Sequence, residues 1–105
     1  MNSFLEKKQS VSLDSIAAAS GELVSANLDG EVVILGFKSG SYYSLDQVGA
    51  FVWDLIQKPQ KVSAIRDAIL NEYDVDSQQC EQDLLQLLDQ LAERQLVVIQ
   101  SEAAA

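Results

Sequence analysis

The sequence predicts an α+β fold in which a three-stranded antiparallel meander is followed by three helices. Apolar residues alternate with polar ones in the stretch 22–45, which is typical of strands. After residue 46 the apolar residues recur every three or four positions, which is typical of amphipathic helices. The stretch 40–53 joins the two halves, because a short strand turns directly into a helix there.

The composition indicates one globular domain. The chain has 105 residues, of which 48% are hydrophobic, and this length suffices for a modest core without metal or disulfide cross-links. Its single cysteine, Cys80, excludes an intramolecular disulfide and favours a reducing environment. Neither a signal peptide nor a run near the roughly 20 apolar residues of a membrane helix is recognisable. We therefore expect a soluble, cytoplasmic protein with no membrane partner.

The charge balance disfavours nucleic acid as a partner. Seven Lys and Arg residues stand against sixteen Asp and Glu residues, which gives a formal net charge of −9. A phosphate backbone needs a basic footprint, and this chain lacks one. A cationic peptide or a basic patch on a partner enzyme fits this charge instead.

Three strands are predicted before the first helix. Residues 24–28 alternate as a strand with one buried face, and Asp29 and Gly30 form the pair that type I′ hairpin turns favour. The return strand 31–37 is apolar on both faces, so we expect it at the centre of the sheet. Residues 41–45 form the third strand, whose outer edge has no sequential partner and is therefore open.

The first two helices are delimited by their end signals. Asp46 is a good N-cap for a helix over 47–57, which Pro59 ends because proline cannot donate a backbone hydrogen bond. A second helix begins at residue 62 and ends near 71–73. Lys61 stands at its N-cap position without a capping side chain, so we expect this end to fray.

The third helix begins with a capping box of Asp76 and Gln79 and ends near residues 94–95. The apolar stretch 96–99 is then either a strand or a segment packed across the core. Together these elements predict a winged-helix-like arrangement.

The two ends of the chain carry weaker signals. We expect residues 1–21 to be an N-terminal segment that is partly flexible or contains a short strand, for which 9–13 is the candidate. Residues 14–20 are ambiguous between a helical turn and a connector. We expect the domain to span 22–99 and residues 100–105 to form a disordered tail.

The available side chains argue against catalysis. Without histidine, neither a Ser-His-Asp nor a Cys-His arrangement can be built, and one cysteine cannot form a thiolate cluster. The carboxylate pairs 74/76 and 81/83 are far more often solvated than catalytic. Trp53 and Cys80 are best read as core residues. We therefore predict no enzyme activity, no catalytic residues, no cofactor and no metal.

The third strand suits a binding role. Ser41, Tyr42, Tyr43 and Ser44 include neither the charge nor the proline with which proteins normally blunt an open edge. Such an edge can accept an extended peptide as an added strand. From the residues alone, coverage of the edge by the N-terminal segment or by a second copy is equally plausible.

An ordered set of motifs resembles a known family. Residues 42–56 read Tyr-Tyr-Ser-Leu-Asp-Gln-Val-Gly-Ala-Phe-Val-Trp-Asp-Leu-Ile, followed by Val-Ser-Ala-Ile at 62–65, Tyr-Asp-Val-Asp at 73–76, and Asp-Leu-Leu-Gln-Leu-Leu at 83–88 with Leu91. This set resembles the PqqD-like RiPP recognition elements, and among them the discrete leader-binding proteins of lasso-peptide clusters. Two positions depart from the family pattern: Lys61 replaces a capping residue, and Gln95 replaces a glycine after the third helix.

The resemblance implies a non-catalytic protein that binds the leader of a ribosomally made precursor peptide. The leader would lie as a strand on the third strand, beside the third helix, and a separate cysteine peptidase and possibly a cyclase would then act. The implied peptide contacts are Ser41, Tyr42, Tyr43 and Ser44 on the strand, and Cys80, Asp83, Leu84 and Leu87 on the helix. Asp83 would be available to a leader Lys or Arg. Which margin of the helix faces the peptide stays open.

Three other interpretations stay open beside this one. The protein can be a PqqD-type chaperone that delivers its precursor to a radical SAM enzyme. It can be a winged-helix regulatory protein, although the charge argues against DNA. It can also be a swapped dimer with a purely structural role, so that monomer and swapped dimer are both expected states.

Overall fold

A computed structural model describes residues 11–21, 23–37 and 40–101. The predicted α+β class, with a strand meander followed by helices, is confirmed. In chain order the elements are β1 (Ser15–Ala19), β2 (Leu23–Leu28), β3 (Glu31–Gly36), β4 (Tyr42–Leu45), α1 (Gln47–Leu55), β5 (Gln60–Lys61), α2 (Val62–Glu72), α3 (Ser77–Glu93) and β6 (Val97–Ser101).

The meander is a sheet in the order β2-β3-β4, with both pairings antiparallel. Asp29 and Gly30 have φ angles of 55° and 87°, as a type I′ turn requires, so this predicted turn is confirmed. β3 lies at the centre, and its Val32 and Ile34 side chains are buried. β4 is consequently an edge strand, and β2 is the other edge.

A second sheet, in the order β5-β1-β6, was not predicted. A strand is found at Ser15–Ala19, which pairs antiparallel with both β5 and β6. Of the candidate strand 9–13, residues 11–13 are not in a strand, and residues 9 and 10 lie outside the described residues. The expectation of a disordered tail from residue 100 is wrong for Gln100 and Ser101, which belong to β6. The remaining expectations for residues 1–10 and 102–105 lie outside the described residues.

β1 packs into the core, although it precedes the predicted domain of residues 22–99. Ala17 is completely buried in the central strand of the second sheet, opposite Ile99 of β6. The Ser20 N–H donates to the Leu96 carbonyl at 3.0 Å. The chain before residue 22 therefore contributes to the packing of the whole domain.

Both predicted aspartate N-caps are confirmed. An Asp46 carboxylate oxygen accepts from the Gly49 N–H at 2.9 Å, and one of Asp76 accepts from the Gln79 N–H at 2.9 Å. The reciprocal half of the predicted capping box is not formed, because the Gln79 side chain donates forward to Asp83. Each helix start still has one of its free N–H groups satisfied by its cap.

The start of α2 lacks a side-chain cap at Lys61, as predicted. It is held in another way. Lys61 belongs to β5, and the Ser63 N–H donates to the Leu13 carbonyl at 3.0 Å. These contacts, which come from distant parts of the chain, oppose the fraying expected from the sequence.

α3 ends in a left-handed residue that is not glycine. Gln95 has a φ of 63°, its N–H donates to the Ala92 carbonyl at 3.0 Å, and the Leu96 N–H donates to the Leu91 carbonyl at 2.9 Å. These two bonds constitute a Schellman motif. The glutamine therefore adopts the helix exit that glycine usually provides, and the chain enters β6 directly.

One core joins both sheets and all three helices. Trp53, at 5% exposure, is buried in it as predicted. The other buried apolar residues are Val11, Ala17, Val32, Ile34, Leu45, Val52, Ile56, Val62, Ile65, Ile69, Cys80, Leu84, Leu88, Leu91, Leu96 and Val97.

Candidate functional site

A cleft lies between β4 and α3, with a cavity of about 630 Å³. β4 and the helix that follows it, α1, are both determined by local sequence. The tyrosines favour a pleated strand, and Asp46 caps the start of α1 immediately afterwards. The cleft is lined by Tyr43, Ser44, Leu45, Asp46, Val48, Gly49, Val52, Ile69, Val75, Gln79, Cys80, Asp83, Leu84, Gln86, Leu87 and Gln90.

The cleft has an apolar floor and a polar rim. Val52, Ile69 and Leu84 are nearly inaccessible and come from three different helices. The rim on α3 carries Gln79, Asp83, Gln86 and Gln90, which recur every three or four residues and so share one side of the helix. An apolar floor with a few convergent polar groups is typical of ligand sites.

The outer edge of β4 is open among the described strands, since β3 is its one partner there. Leu28 and Glu31 close the two-residue hairpin as a hydrogen-bonded pair. From there, opposite residues alternate between hydrogen-bonded and non-hydrogen-bonded pairs. The Gly36 N–H donates to the Ser41 carbonyl at 2.9 Å, which agrees with this alternation. The backbone groups of Tyr42 and Ser44 therefore point away from β3.

One end of the cleft is closed by Tyr43. Its hydroxyl donates to the Gln90 side-chain carbonyl at 2.5 Å, and the Arg94 guanidinium lies 5.2 Å from the centre of its ring. The latter contact is a cation–π interaction. Both contacts hold the beginning of β4 against the end of α3.

The cleft faces one margin of α3. On the other margin Glu81 forms an ion pair with Arg66 of α2 at 2.9 Å, and Asp89 accepts from the Val11 N–H at 3.2 Å. Asp83 and Leu87 lie on the cleft margin. The two margins therefore have different roles, one in packing and one in lining the cavity.

Cys80 is an unreactive floor residue. It is 7% exposed, and the predicted core role is confirmed. Burial is the main cause that raises the pKa of its thiol, and the negative charges of Asp83 and Glu81 raise this pKa further, against a smaller lowering by Arg66. The thiol is therefore protonated at neutral pH.

Six of the eight predicted contact residues line the cleft: Tyr43, Ser44, Cys80, Asp83, Leu84 and Leu87. Ser41 precedes the strand, and its carbonyl is bound to β3. The Tyr42 side chain is 66% exposed on the opposite face of the sheet, and Tyr42 does not line the cleft.

The rim glutamines and most of the floor residues were not predicted from the sequence. The glutamines at 79, 86 and 90 recur with Asp83 at helical spacing, and this stripe could have been found beside the leucine stripe. The α1 and α2 floor residues carry no such signal. An apolar residue that lines a cleft cannot be distinguished by spacing from one that fills the core.

The face of the meander sheet that points away from the core is a second exposed feature, which we call the outer face. Large apolar side chains are exposed on it, where a monomer normally exposes only small apolar patches. They are Val24, Leu28, Leu35 and Tyr42, with exposed fractions between 43% and 66%. Phe37, directly after β3, is also exposed. This surface meets the cleft along β4.

Two kinds of feature are absent from the described part of the chain. No group of three or more His, Cys, Asp or Glu residues there is arranged to hold a metal ion. None of the helices in the same part is long and apolar enough to cross a membrane.

Comparisons with known proteins place this architecture in a family. The model of the family described as coenzyme PQQ synthesis protein D (PqqD) matches residues 31–97, more than half of the chain. A solved structure of TbiB1 in complex with the TbiA(beta) leader peptide is 40% identical, covers 76% of this chain and 93% of that one, and has a TM-score of 0.70. No curated protein gave a significant match. The chain therefore belongs to the PqqD family.

Proposed function

We propose that this protein binds the leader of a ribosomally synthesised precursor peptide, of the lasso-peptide type, as an added strand on β4. The observation that carries the proposal is the outer edge of β4, to which no other described strand pairs, beside an apolar cleft, in a chain 40% identical to a protein solved with a leader peptide. The predicted contact residues are proposed as the site together with the rim glutamines.

The geometry suits this mode of binding. The outward backbone groups of Tyr42 and Ser44 offer hydrogen bonds to an extended peptide, which supplies affinity without regard to sequence. A cavity of about 630 Å³ lies within the range of specific ligand sites, and its floor can take apolar side chains of the peptide. The polar rim would then fix the register.

The proposal assigns no catalytic role to this protein, which would act in the cytoplasm. The chain contains no histidine for a nucleophilic triad, and the thiol of its one cysteine is buried and protonated. A separate cysteine peptidase would remove the leader, and a cyclase would follow. The outer face adjoins β4 and supports docking of such an enzyme next to the bound leader.

Titration of a labelled synthetic leader of the cognate precursor tests the proposal. We expect saturable binding in fluorescence anisotropy at micromolar concentration or below. A scrambled leader of the same composition is the control, because it keeps charge and length. Absence of binding at tens of micromolar would refute leader recognition.

A second candidate is a PqqD-type chaperone that delivers its precursor to a radical SAM enzyme. The match to the PqqD family model favours keeping it. Leader binding is common to both candidates, so the discriminating measurement is processing. Faster leader removal by a cysteine peptidase in the presence of this protein supports the lasso-type role, and faster modification by the radical enzyme supports the other.

The regulatory and structural alternatives have their own tests. A winged-helix regulator would bind duplex DNA with a salt-dependent affinity, which the net charge of −9 opposes. A purely structural role requires an obligate dimer, and a monomeric mass in light scattering would exclude it.

A further inference from the structure

We propose that the cleft selects peptides by the order of their charges, preferring a Lys or Arg about five residues before an Asp or Glu. This inference rests on the proposed function and specifies the chemistry of the peptide. Asp83, on the rim of the cleft, and Arg94, which lies over the ring of the cleft residue Tyr43, are the residues that determine this specificity.

Asp83 supplies the negative charge. It is exposed on the rim, and one of its carboxylate oxygens accepts a hydrogen bond from the neutral Gln79 side chain at 2.9 Å. Within the described residues no Lys or Arg forms an ion pair with it. Its charge reaches into the cleft, where it helps to raise the pKa of the buried Cys80 thiol. A cation bound here would meet an uncompensated carboxylate.

Arg94 supplies the positive charge. Its guanidinium lies over the ring of Tyr43, a residue that lines the cleft. A guanidinium stacked in this way keeps its in-plane N–H donors available for a carboxylate. The other described cations lie elsewhere: Arg66 is paired with Asp67 and Glu81, while Lys58 and Lys61 belong to the segment between α1 and α2.

The distance between Asp83 and Arg94 sets the spacing of the peptide charges. Asp83 and Arg94 are separated along α3 by about 16 Å, at the usual rise of a helix. An extended peptide covers that distance with about five residues. Both charges of a bound segment can therefore be satisfied at once when they are about five residues apart.

The direction of the peptide sets the order of its charges. An added strand that continues the antiparallel sheet runs opposite to β4. The contact of Tyr43 with Gln90 places the beginning of β4 beside the end of α3, where Arg94 lies. The first residues of the peptide then lie toward Asp83 and its last residues toward Arg94. The basic residue must come first.

Selection from a random displayed peptide library tests this order without knowledge of the natural leader. The full-length protein should enrich peptides with a basic residue about five positions before an acidic one. A variant with Asp83→Lys and Arg94→Glu keeps the net charge and should enrich the reverse order. The matched control, Asp54→Lys with Lys58→Glu, exchanges two charges on an exposed surface outside the cleft and should select like the unmodified protein.

Affinities of one selected peptide and its charge-exchanged counterpart give the size of the effect. We expect about a fivefold or greater preference, which inverts in the exchanged variant and weakens with salt. A variant with Asp83→Asn and Arg94→Gln, which is a smaller change, should abolish the preference. This neutral variant replaces the exchanged variant in the test if the latter does not fold. Enriched peptides without charge order, or an unchanged preference in these variants, would overturn the inference. Failure to enrich any peptide would instead contradict peptide binding itself.

Discussion

Gln95 is the residue at which local preference and observed backbone disagree most. Its φ of 63° lies in the left-handed region. This conformation is unfavourable for a residue with a Cβ atom, whereas glycine adopts it without strain. The Ser20 hydroxyl donates to the Gln95 carbonyl at 2.9 Å, which helps to hold this conformation. The helix exit therefore keeps its usual form although Gln95 replaces a glycine.

We predict that Gln95→Gly stabilises the protein by about 1 kcal/mol, because glycine adopts this conformation without strain. The gain should appear as a higher midpoint of urea unfolding with an unchanged slope. Gln95→Ala is the control, since it removes the side chain and keeps the strain. A glycine variant no more stable than the alanine variant would contradict the explanation.

Cys80 should make stability fall at alkaline pH. Burial raises the folded-state pKa of its thiol above the unfolded value, so the thiol loses its proton more easily on unfolding. Its contribution to stability is fully present below the unfolded pKa of about 8.5 and is lost as the pH rises through the folded pKa.

Chemical unfolding from pH 7 upward measures this effect. The free energy of unfolding of the unmodified protein should decline more steeply above about pH 8.5 than that of Cys80→Ala. The alanine variant is less stable overall because it leaves a cavity, so only the slopes are compared. Equal slopes would mean that the thiol titrates alike in both states.

At the scale of elements, β4 is the strand on which the proposed function depends. Its side chains alternate between the two faces, so Leu45 is buried while Ser44 is exposed. Its backbone groups alternate as well, and those of Tyr42 and Ser44 point outward. Strand pairing to the core and strand pairing to a peptide therefore use different residues of the same short strand.

Ser44→Pro should weaken leader binding at least tenfold with a small loss of stability. Proline removes the outward N–H, and an edge strand tolerates proline on its unpaired side. Anisotropy with the labelled leader measures the affinity, and thermal unfolding monitors the fold. Ser44→Ala keeps the N–H and should bind normally. Equal binding by both variants would argue against strand addition on β4.

β1 is an element whose role in the fold was not predicted from the sequence. A chain that begins at residue 22 lacks the central strand of the second sheet. The edges of β5 and β6 that pair with β1 are then left without a partner. We predict that this shortened chain does not unfold cooperatively, in contrast to the full chain. Circular dichroism during heating provides the measurement. A sharp transition near that of the full chain would support the predicted domain of residues 22–99.

At the scale of the whole molecule, the two exposed features suggest separate tasks. The cleft would hold the leader, and the outer face would hold the processing enzyme. Both adjoin β4, so a bound leader would extend the sheet beside the docking surface. The net charge of −9 favours basic partners in both cases.

Leu35→Lys on the outer face should separate the two tasks. Its side chain is 43% exposed on the face away from the cleft, so leader affinity should be unchanged. Leader removal by the peptidase should slow about tenfold, because a charge is introduced into an apolar contact. Val98→Lys, at a similarly exposed site on the second sheet, is the matched control. Loss of leader binding would contradict this separation.

Local chemistry made much of the molecule predictable. Asp29 with Gly30 marked the hairpin, Asp46 and Asp76 marked two helix starts, and the leucine stripe marked the buried side of α3. Each signal acts within a few residues, so it can be read without knowledge of the rest of the chain. The edge position of β4 follows in the same way from strand order in a meander, whereas coverage of that edge by another segment is not a local property.

Only the tertiary structure decided the features that depend on distant residues. The sequence by itself determined the meander, the three helices and the residues of the exposed strand, because these follow from local backbone preference and apolar spacing. The tertiary structure decided that alanine-rich β1 is a central strand, because its partners lie some 40 and 80 positions away. It also decided which margin of α3 lines the cleft, because Arg66 and Val11 occupy the other one. Packing between distant segments leaves no periodic signal in either of them.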